Sequence, residues 1–235
     1  MSVLGYSQLL KGGSTGSSLT RIAFTSKQET TTNFPTTLTT DAINTTGSNM
    51  VVVVVCDYNS GSGSMSDNKG NTFTLAQSRQ TTTNSRISVY YLTSSAIYGS
   101  SHTFTYTSTL WCIPNIYVYA YSGASTSPYL TWNSTTTSGA PVSSLTTGSI
   151  TPAVNGALLI TAFATIPSSG TGNTPTISGG GFTNSNRDAW YPLISAKSLY
   201  SGCYSLVQTV AGASNPTHTF NGASEGAVVL IIAFK

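Results

Sequence analysis

Residues 49–58 read NMVVVVVCDY, with five consecutive valines at the centre of the stretch. β-branched residues favour an extended chain, and the apolar run 50–56 is too short for a convincing helix. The run does not alternate with polar residues, which indicates a strand buried on both faces. The stretch GALLITAFAT, residues 156–165, has the same character. The sequence therefore predicts two central strands of a β protein.

Shorter stretches around these two strands alternate between apolar and polar residues, as half-buried strands do. They include RISVYYLT at 86–93, HTFTYT at 102–107 and CYSLVQTV at 203–210. Turns rich in Gly and Asn separate them, and no stretch has the composition of a helix. We predict an all-β protein, an antiparallel β-sandwich that is jelly-roll-like and contains ten or more short strands.

The two halves of the chain present these elements in the same order, which indicates a weak internal repeat. The only two histidines, His102 and His218, both begin a His-Thr-Phe tripeptide that precedes the last strand of its half. The pattern predicts two similar four-stranded units, with the histidines at equivalent places and in structural roles. We expect a single β-sandwich domain at 19–235, preceded by a Gly/Ser-rich arm at 1–18.

Charged residues make up only 6% of the chain, although 39% of its residues are hydrophobic. The nine basic residues are scattered, so we expect no nucleic-acid binding, which needs concentrated phosphate contacts. No apolar run approaches the ~20 residues of a membrane-spanning helix, so no membrane partner is expected. The N-terminal residues do not form a secretory signal peptide, and we expect the chain to fold in the cytoplasm.

Motifs for catalysis or cofactor binding are not found in the sequence. There is no Gly-x-Ser-x-Gly elbow, and six acidic residues offer little for glycosidase chemistry. Asp67 is interpreted as a turn residue whose side chain binds nearby backbone. The three cysteines are far apart and lie in apolar surroundings, so each is interpreted as a buried hydrophobe. We predict no enzyme activity, catalytic residue, cofactor or metal site.

Aromatic side chains near predicted loops are the candidates for an interface or a ligand site. An exposed aromatic ring can stack on a sugar or anchor a protein interface, and arginine is also common among such anchors. The alternative for each ring is that it caps the sandwich core. The candidates are Trp111, Trp132, Arg187, Trp190 and Tyr191.

Five stretches resemble a recurrent β-sandwich module of phage virion proteins and large bacterial surface proteins. They are SDNKGNTFTLA at 66–76, ISVYYL at 87–92, SSHTFTYT at 100–107, YAYSGASTSPYLTW at 119–132 and NGALLITAFAT at 155–165. The resemblance covers residues 45–235. The chain departs from the module at Tyr129, where an acidic residue is common, and at Phe73, where Trp is common. The resemblance implies a jelly-roll-like scaffold for display or binding, and no catalytic residues.

Resemblance and composition together lead to a functional hypothesis. A polar but uncharged surface without an export signal fits a protein that folds in the host cytoplasm and reaches the outside by lysis. We therefore expect a bacteriophage virion structural protein, namely a capsid decoration (cement) protein on the virion surface, bound to the major capsid protein. A homo-oligomer is expected, with a trimer as the working hypothesis. The alternative is a tail-fibre or adhesin module that binds host-surface glycans through loop aromatics.

Overall fold

The computed structural model describes residues 18–30, 35–58, 63–82, 84–93, 95–137, 141–167, 174–191 and 199–235. The described residues contain fifteen β-strands and one short 3-10 turn, Asn184–Asn186. The all-β, antiparallel class predicted from the sequence is therefore confirmed. The predicted arm at 1–18 lies outside the described residues except for its last one.

The strands fall into two successive units. The first unit contains β1 (Thr20–Gln28), β2 (Thr37–Thr39), β3 (Met50–Tyr58), β4 (Gly63–Asp67), β5 (Thr74–Gln80), β6 (Ser85–Leu92), β7 (Phe104–Ser108) and β8 (Asn115–Ser122). The second contains β9 (Tyr129–Thr136), β10 (Val142–Thr146), β11 (Ala157–Pro167), β12 (Thr176–Ser178), β13 (Arg187–Tyr191), β14 (Tyr200–Gln208) and β15 (Thr217–Phe234).

The first unit is a jelly roll. Its large sheet has the order β1-β8-β3-β6-β5, and its small sheet has the order β2-β7-β4. The first strand thus pairs with the eighth, the second with the seventh and the third with the sixth, all antiparallel. This nested pairing folds an eight-stranded ribbon into two facing sheets, as in a jelly roll.

The second unit repeats this topology strand for strand. β15 is long enough to serve both sheets: its first part, 217–224, pairs with β10 and β12, and its second part, 226–234, pairs with β9 and β11. The two parts correspond to β7 and β8, so the unit contains eight strand segments. The units are thus larger than the four-stranded ones predicted, because short polar strands such as β2, β4 and β12 carry little apolar signal.

Irregularities in the sheets recur at equivalent places. β1 skips Ile22 in its pairing with β8, and β9 skips Leu130 in its pairing with β15. β5 skips Ala76 and β13 skips Asp188 in their pairings with the neighbouring strands. β-Bulges bend a strand and re-aim its side chains, so two shared bulges make the internal repeat specific at the level of single residues.

The equivalence predicted for the two His-Thr-Phe tripeptides is wrong. Leu38 of β2 pairs with Tyr106 of β7, and Leu145 of β10 pairs with His218 of β15. His218 therefore takes the place of Tyr106 in the repeat, four residues along the strand from the place of His102. The error arises because an alternating strand looks much the same when it is shifted by an even number of residues.

The large sheets of the two units pack face to face. Alternate residues of the central strand β3, among them Val52 and Val54, meet Leu158 and Ile160 of β11 in a shared core. The opposite face of each large sheet packs against its own small sheet in an outer core. Residues 50–56 have no exposed surface, so the predicted burial of this strand on both faces is confirmed.

Candidate functional site

Two clefts open along the line where the two units meet, and they occupy equivalent positions in the repeat. The larger, which we call the Tyr91–Tyr129 cleft, has a volume of about 770 Å³ and lies between β5, β6 and the start of β9. The smaller, the Arg21–Asp188 cleft, has a volume of about 280 Å³ and lies between β13, β14 and the start of β1. Each cleft is therefore lined by residues of both units.

Strand register shows the correspondence of the clefts residue by residue. Tyr129 follows the turn into β9 and pairs with Phe234, as Arg21 at the start of β1 pairs with Tyr121. Tyr91 pairs with Val52 on the central strand of its sheet, as Ser205 of β14 pairs with Ile160 of β11. Three pairs of positions thus correspond: Tyr91 with Ser205, Phe234 with Tyr121, and Tyr129 with Arg21.

Aromatic rings form one side of the Tyr91–Tyr129 cleft. The buried ring of Phe234 lies 5.8 Å from the Tyr91 ring and 6.3 Å from the Tyr129 ring, measured between centroids. The Gln77 side-chain amide donates a hydrogen bond of 3.1 Å to the Tyr129 hydroxyl. Because Phe234 is anchored in the shared core, both tyrosines are held in fixed positions at the mouth of the cleft.

The rest of the cleft combines polar residues with a few apolar ones, among them Leu92 and Pro128, and its described lining carries no formal charge. Asn71 lies at one end, where its amide exchanges hydrogen bonds with the backbone of Ile97 at 2.6 and 2.7 Å. This contact fixes the loop at 95–98 against the turn at 68–71. The cleft is further lined by six hydroxyl-bearing residues: Thr72, Thr74, Thr93, Ser95, Thr126 and Ser127.

Charged side chains occupy the Arg21–Asp188 cleft. Arg21 forms an ion pair with Asp188, which sits at the bulge of β13. The Tyr119 hydroxyl donates a hydrogen bond of 3.1 Å to the second carboxylate oxygen of Asp188. The Ser205 hydroxyl lies 3.5 Å from the Arg21 guanidinium. Ser205 and Arg21, which correspond to Tyr91 and Tyr129 of the larger cleft, thus make contacts between the two units.

His102 forms a buried hydrogen-bonded chain with Asp67 and Thr45. Its Nε2 lies 2.8 Å from Asp67 Oδ2, and its Nδ1 lies 2.8 Å from Thr45 Oγ1. The order hydroxyl–imidazole–carboxylate is that of a catalytic triad. However, the His102 and Asp67 side chains have no exposed surface, and Thr45 is fully buried. The chain of groups is positioned to hold three loops together, and its residues are not among the described residues that line either cleft.

Asp67 is the acceptor at the centre of this cluster. Its Oδ1 accepts hydrogen bonds from the backbone N–H groups of Lys69 at 3.0 Å and Asn71 at 2.9 Å, which confirms its predicted role as a turn residue. Burial acts to raise the pKa of Asp67, but the hydrogen bonds from Asn71, His102 and Lys69 outweigh it and hold the pKa below its usual value. Asp67 is therefore ionised at neutral pH.

His218 is buried in the outer core of the second unit. The Thr161 hydroxyl donates to the Leu230 carbonyl at 2.8 Å and so accepts from His218 Nε2 at 2.8 Å. The other ring nitrogen, Nδ1, has no hydrogen-bond partner among the described residues. Burial lowers the pKa of His218 to about 3. The ring is therefore neutral at physiological pH and packs against Phe163, in agreement with a structural role.

The aromatic candidates named from the sequence lie at three separate places. Trp111 is 43% exposed in the loop after β7 and packs against Tyr58 at 6.2 Å. Trp132 lies on β9 and Trp190 on β13, at opposite edges of the large sheet of the second unit. The structure therefore does not bring the three tryptophans into one site.

Arg187, Trp190 and Tyr191 share strand β13, but each is engaged within the protein. Arg187 donates to the Pro175 carbonyl at 3.1 Å, and Trp190 packs edge-on against Tyr200 at 5.9 Å. The Tyr191 hydroxyl donates to Ser26 of the first unit at 2.7 Å. These side chains therefore stabilise the edge of the sandwich, while remaining partly exposed.

Tyr91 and Tyr129 were not identified from the sequence. Tyr91 stands in an ordinary alternating strand, and Tyr129 differs from its neighbours only as a departure from the resembled module. The two lie 38 positions apart and belong to different units, so nothing local brings them together. The cleft becomes apparent only when both tyrosine rings pack against Phe234, which requires the face-to-face packing of the units.

No family model, curated protein or solved structure matches this chain. Among the described residues, no helix is long and apolar enough to cross a membrane. Within the same residues, no cluster of three or more His, Cys, Asp or Glu side chains is arranged to hold a metal ion.

Proposed function

We propose that this chain is a non-enzymatic structural protein of a bacteriophage particle, a capsid decoration protein that binds and stabilises the exterior of the shell. The observation that carries the proposal is the tandem jelly roll itself. Two complete sandwiches share one core, and the resulting rigid block presents a surface rich in hydroxyl and amide groups. Such a block is suited to display and to adhesion to a lattice, where shape complementarity decides binding.

Three carboxylates support this proposal because their contacts serve the fold. Asp57 accepts a hydrogen bond from Tyr106 inside the first unit, and Asp67 is bound to His102. Asp188 pairs with Arg21. Groups held in this way are positioned for stability, whereas catalysis requires a carboxylate or imidazole that reaches a substrate.

The resemblance to phage virion modules supports the remaining parts of the proposal. The partner is the major capsid protein, and the chain acts as a homo-oligomer, with a trimer expected at the local three-fold positions of a shell. It folds in the host cytoplasm and is located on the virion surface after assembly. The large share of uncharged polar surface is compatible with both environments.

Quantitative mass spectrometry of purified particles tests the proposal. The amount of this chain is measured against the major capsid protein of the same particles. A ratio of one copy per capsid subunit, or one per few subunits, is expected for a decoration protein. Absence of the chain from particles would overturn the virion role, and a handful of copies per particle would place the chain in the tail.

A tail-fibre or adhesin module that binds host glycans is the second candidate. The observation that favours it is the uncharged Tyr91–Tyr129 cleft, which combines aromatic rings with hydroxyl groups. A glycan array with the purified chain tests this function. Binding that is lost in Trp190→Ala or Trp132→Ala would assign the ligand to the aromatics of the sheet edges, and no binding to any glycan would exclude the candidate.

A further inference from the structure

We infer that the Tyr91–Tyr129 cleft is a binding site for a neutral saccharide, whose ring lies against the two tyrosines. The inference deepens the second candidate function and rests on it for the class of ligand. It does not depend on whether the chain decorates a capsid. It differs from the sequence-based hypothesis because none of the five aromatic or basic candidates named there lines this cleft.

The size and lining of the cleft fit a small ligand. Its volume of about 770 Å³ falls within the ~300–1,000 Å³ of typical small-molecule sites. Such sites combine apolar and aromatic walls with a few polar groups that fix the orientation of the ligand. Here Tyr91 and Tyr129 supply the walls, and the surrounding Thr and Ser residues supply the polar groups.

The electrostatics of the cleft select against a charged ligand. Among the residues that the structure describes, no Asp, Glu, Lys, Arg or His lines it. A carboxylate or phosphate that entered the cleft would lose water without gaining an opposite charge, which is costly. A neutral sugar presents hydroxyl groups and a C–H face, and its hydroxyls can exchange hydrogen bonds with water for hydrogen bonds with protein.

Free hydrogen-bonding groups stand beside the aromatic wall. Among the described residues, no hydrogen bond engages the hydroxyls of Tyr91, Thr72 and Thr74. Thr72 and Thr74 are exposed, and Tyr91 is partly exposed. In contrast, the amide of Asn71 and the hydroxyl of Tyr129 are already bound by neighbours, which fixes their positions. The cleft thus contains a rigid frame together with hydroxyl groups that remain available to a ligand.

The internal repeat provides a comparison within the same molecule. At the corresponding place of the Arg21–Asp188 cleft, the positions of Tyr91 and Tyr129 are held by Ser205 and Arg21, and an ion pair joins the two units. The cleft there is less than half as large. Unit-to-unit contact at this position therefore needs neither an open space nor an aromatic pair. The tyrosines of the larger cleft are thus not required by the architecture, which favours a role in binding.

The test is titration of the purified chain with neutral oligosaccharides built from glucose, galactose, mannose or N-acetylglucosamine, observed by ligand-detected NMR and calorimetry. We expect one of these classes to bind. Tyr91→Ser, which installs the residue found at the corresponding position, should weaken binding by about tenfold or more because the stacking surface is lost. Tyr91→Phe should keep the stacking surface and reduce affinity less.

Trp111→Ala is the matched control, since it removes an exposed aromatic ring outside the cleft and should leave affinity unchanged. Thermal unfolding of each variant separates loss of binding from loss of fold. The inference is overturned if no neutral saccharide binds at a ligand concentration of ~10 mM, because any Kd would then be weaker than the millimolar range. Binding that survives Tyr91→Ser, or that requires an acidic saccharide or a peptide, would overturn it as well.

The outcome separates this inference from the second candidate function. Binding that is lost in Trp190→Ala but kept in Tyr91→Ser retains the glycan function and overturns the assignment to the cleft. If the unmodified chain binds no saccharide, the assignment to the cleft and the glycan function fail together. The copy number in particles tests the decoration role independently of either result.

Discussion

At the scale of single residues, His218 makes the stability of the protein depend on pH. Its folded-state pKa is lowered to about 3 by burial, whereas a histidine in an unfolded chain titrates near ~6.5. Between these values the unfolded chain binds a proton that the folded chain does not. The stability that depends on a neutral His218 is therefore fully present above pH ~6.5 and is lost as the pH falls, by up to ~1.4 kcal/mol per pH unit.

The prediction is checked with His218→Gln, which keeps an N–H donor near Thr161 but cannot titrate. Denaturant unfolding is measured for both proteins from pH 7 to pH 4.5. The free energy of unfolding of the wild type should fall more steeply than that of the variant across this range. Parallel pH profiles would show that His218 is not held neutral in the folded state.

The buried carboxylate of Asp67 is predicted to be more costly to neutralise than the exposed carboxylate of Asp41. The Asp67 carboxylate accepts hydrogen bonds from Asn71, His102 and Lys69. Asp67→Asn removes its negative charge and should lower the free energy of unfolding by ~1.5–3 kcal/mol at pH 7. Because the folded-state pKa is lowered, the stabilising effect exists above pH ~3.9 and is lost as the pH falls through the folded-state value.

Urea unfolding at pH 7 and pH 3 measures this difference, and Asp41→Asn serves as the control. Asp41 forms an exposed ion pair with Lys27, and its side chain is 75% exposed, so its loss should cost less than ~1 kcal/mol. The gap between wild type and Asp67→Asn should narrow at pH 3. A gap of equal size at both pH values would contradict the proposed role of the carboxylate charge.

Sequence patterns predicted the local part of this cluster and not the rest. The turn role of Asp67 followed from SDNKGN, because the backbone groups that it binds lie two and four residues away. Its bond to His102 spans 35 residues and joins two loops, so no short pattern could reveal it. In general, contacts within a turn follow from local residue types, whereas contacts between loops follow from the topology.

At the scale of the strands, Gly202 shows how the two units differ at one cross-strand pair. Gly202 of β14 pairs with Phe163 of β11, and the corresponding pair in the first unit is Ser88 with Val55. A Cβ atom at Gly202 would lie 2.5 Å from the Phe163 ring. The ring thus covers the glycine, an arrangement that compensates for the missing side chain in a strand.

Gly202→Ala should therefore destabilise the protein by ~1–3 kcal/mol through overpacking. In combination with Phe163→Val, which installs the residue of the first unit, the alanine should be tolerated. A double-mutant cycle in thermal or denaturant unfolding should give a coupling of at least ~0.5 kcal/mol in favour of the double variant. Additive effects would show that the ring and the glycine do not depend on each other.

Strand patterns in the sequence predicted the two buried strands and the presence of a repeat, but they placed the repeat incorrectly at its histidines. Buried strands are detectable because β3 and β11 are apolar on both faces. The match of His102 with His218 was wrong because the apolar–polar alternation of two strands can be aligned equally well at several positions two residues apart. The pairing partners Leu38 and Leu145, on separate short strands, fix the register in the folded chain.

At the scale of the whole molecule, the shared core decides whether the two jelly rolls are independent. Side chains from β3, β6 and β8 of the first unit interlock with those from β11, β14 and β15 of the second. Unfolding of one unit alone would expose the partner's half of this core to water, at a cost of ~25 cal/mol per Å² of apolar surface. A unit without its partner therefore loses a large part of its stabilisation.

The last prediction follows from this coupling: the protein unfolds as one cooperative unit, although it contains two complete jelly rolls. Ile116→Ala in the outer core of the first unit and Ile231→Ala in that of the second should each lower one common transition, by ~2–5 kcal/mol. Calorimetry should give equal calorimetric and van't Hoff enthalpies for the wild type. Hydrogen exchange should show that Ile116→Ala weakens protection of β11 and β15 in the second unit as well. The contrary outcome is two unfolding transitions, with each variant lowering only the transition of its own unit. It would mean that the shared core is an interface between separate domains, because two separate transitions require each unit to be stable independently.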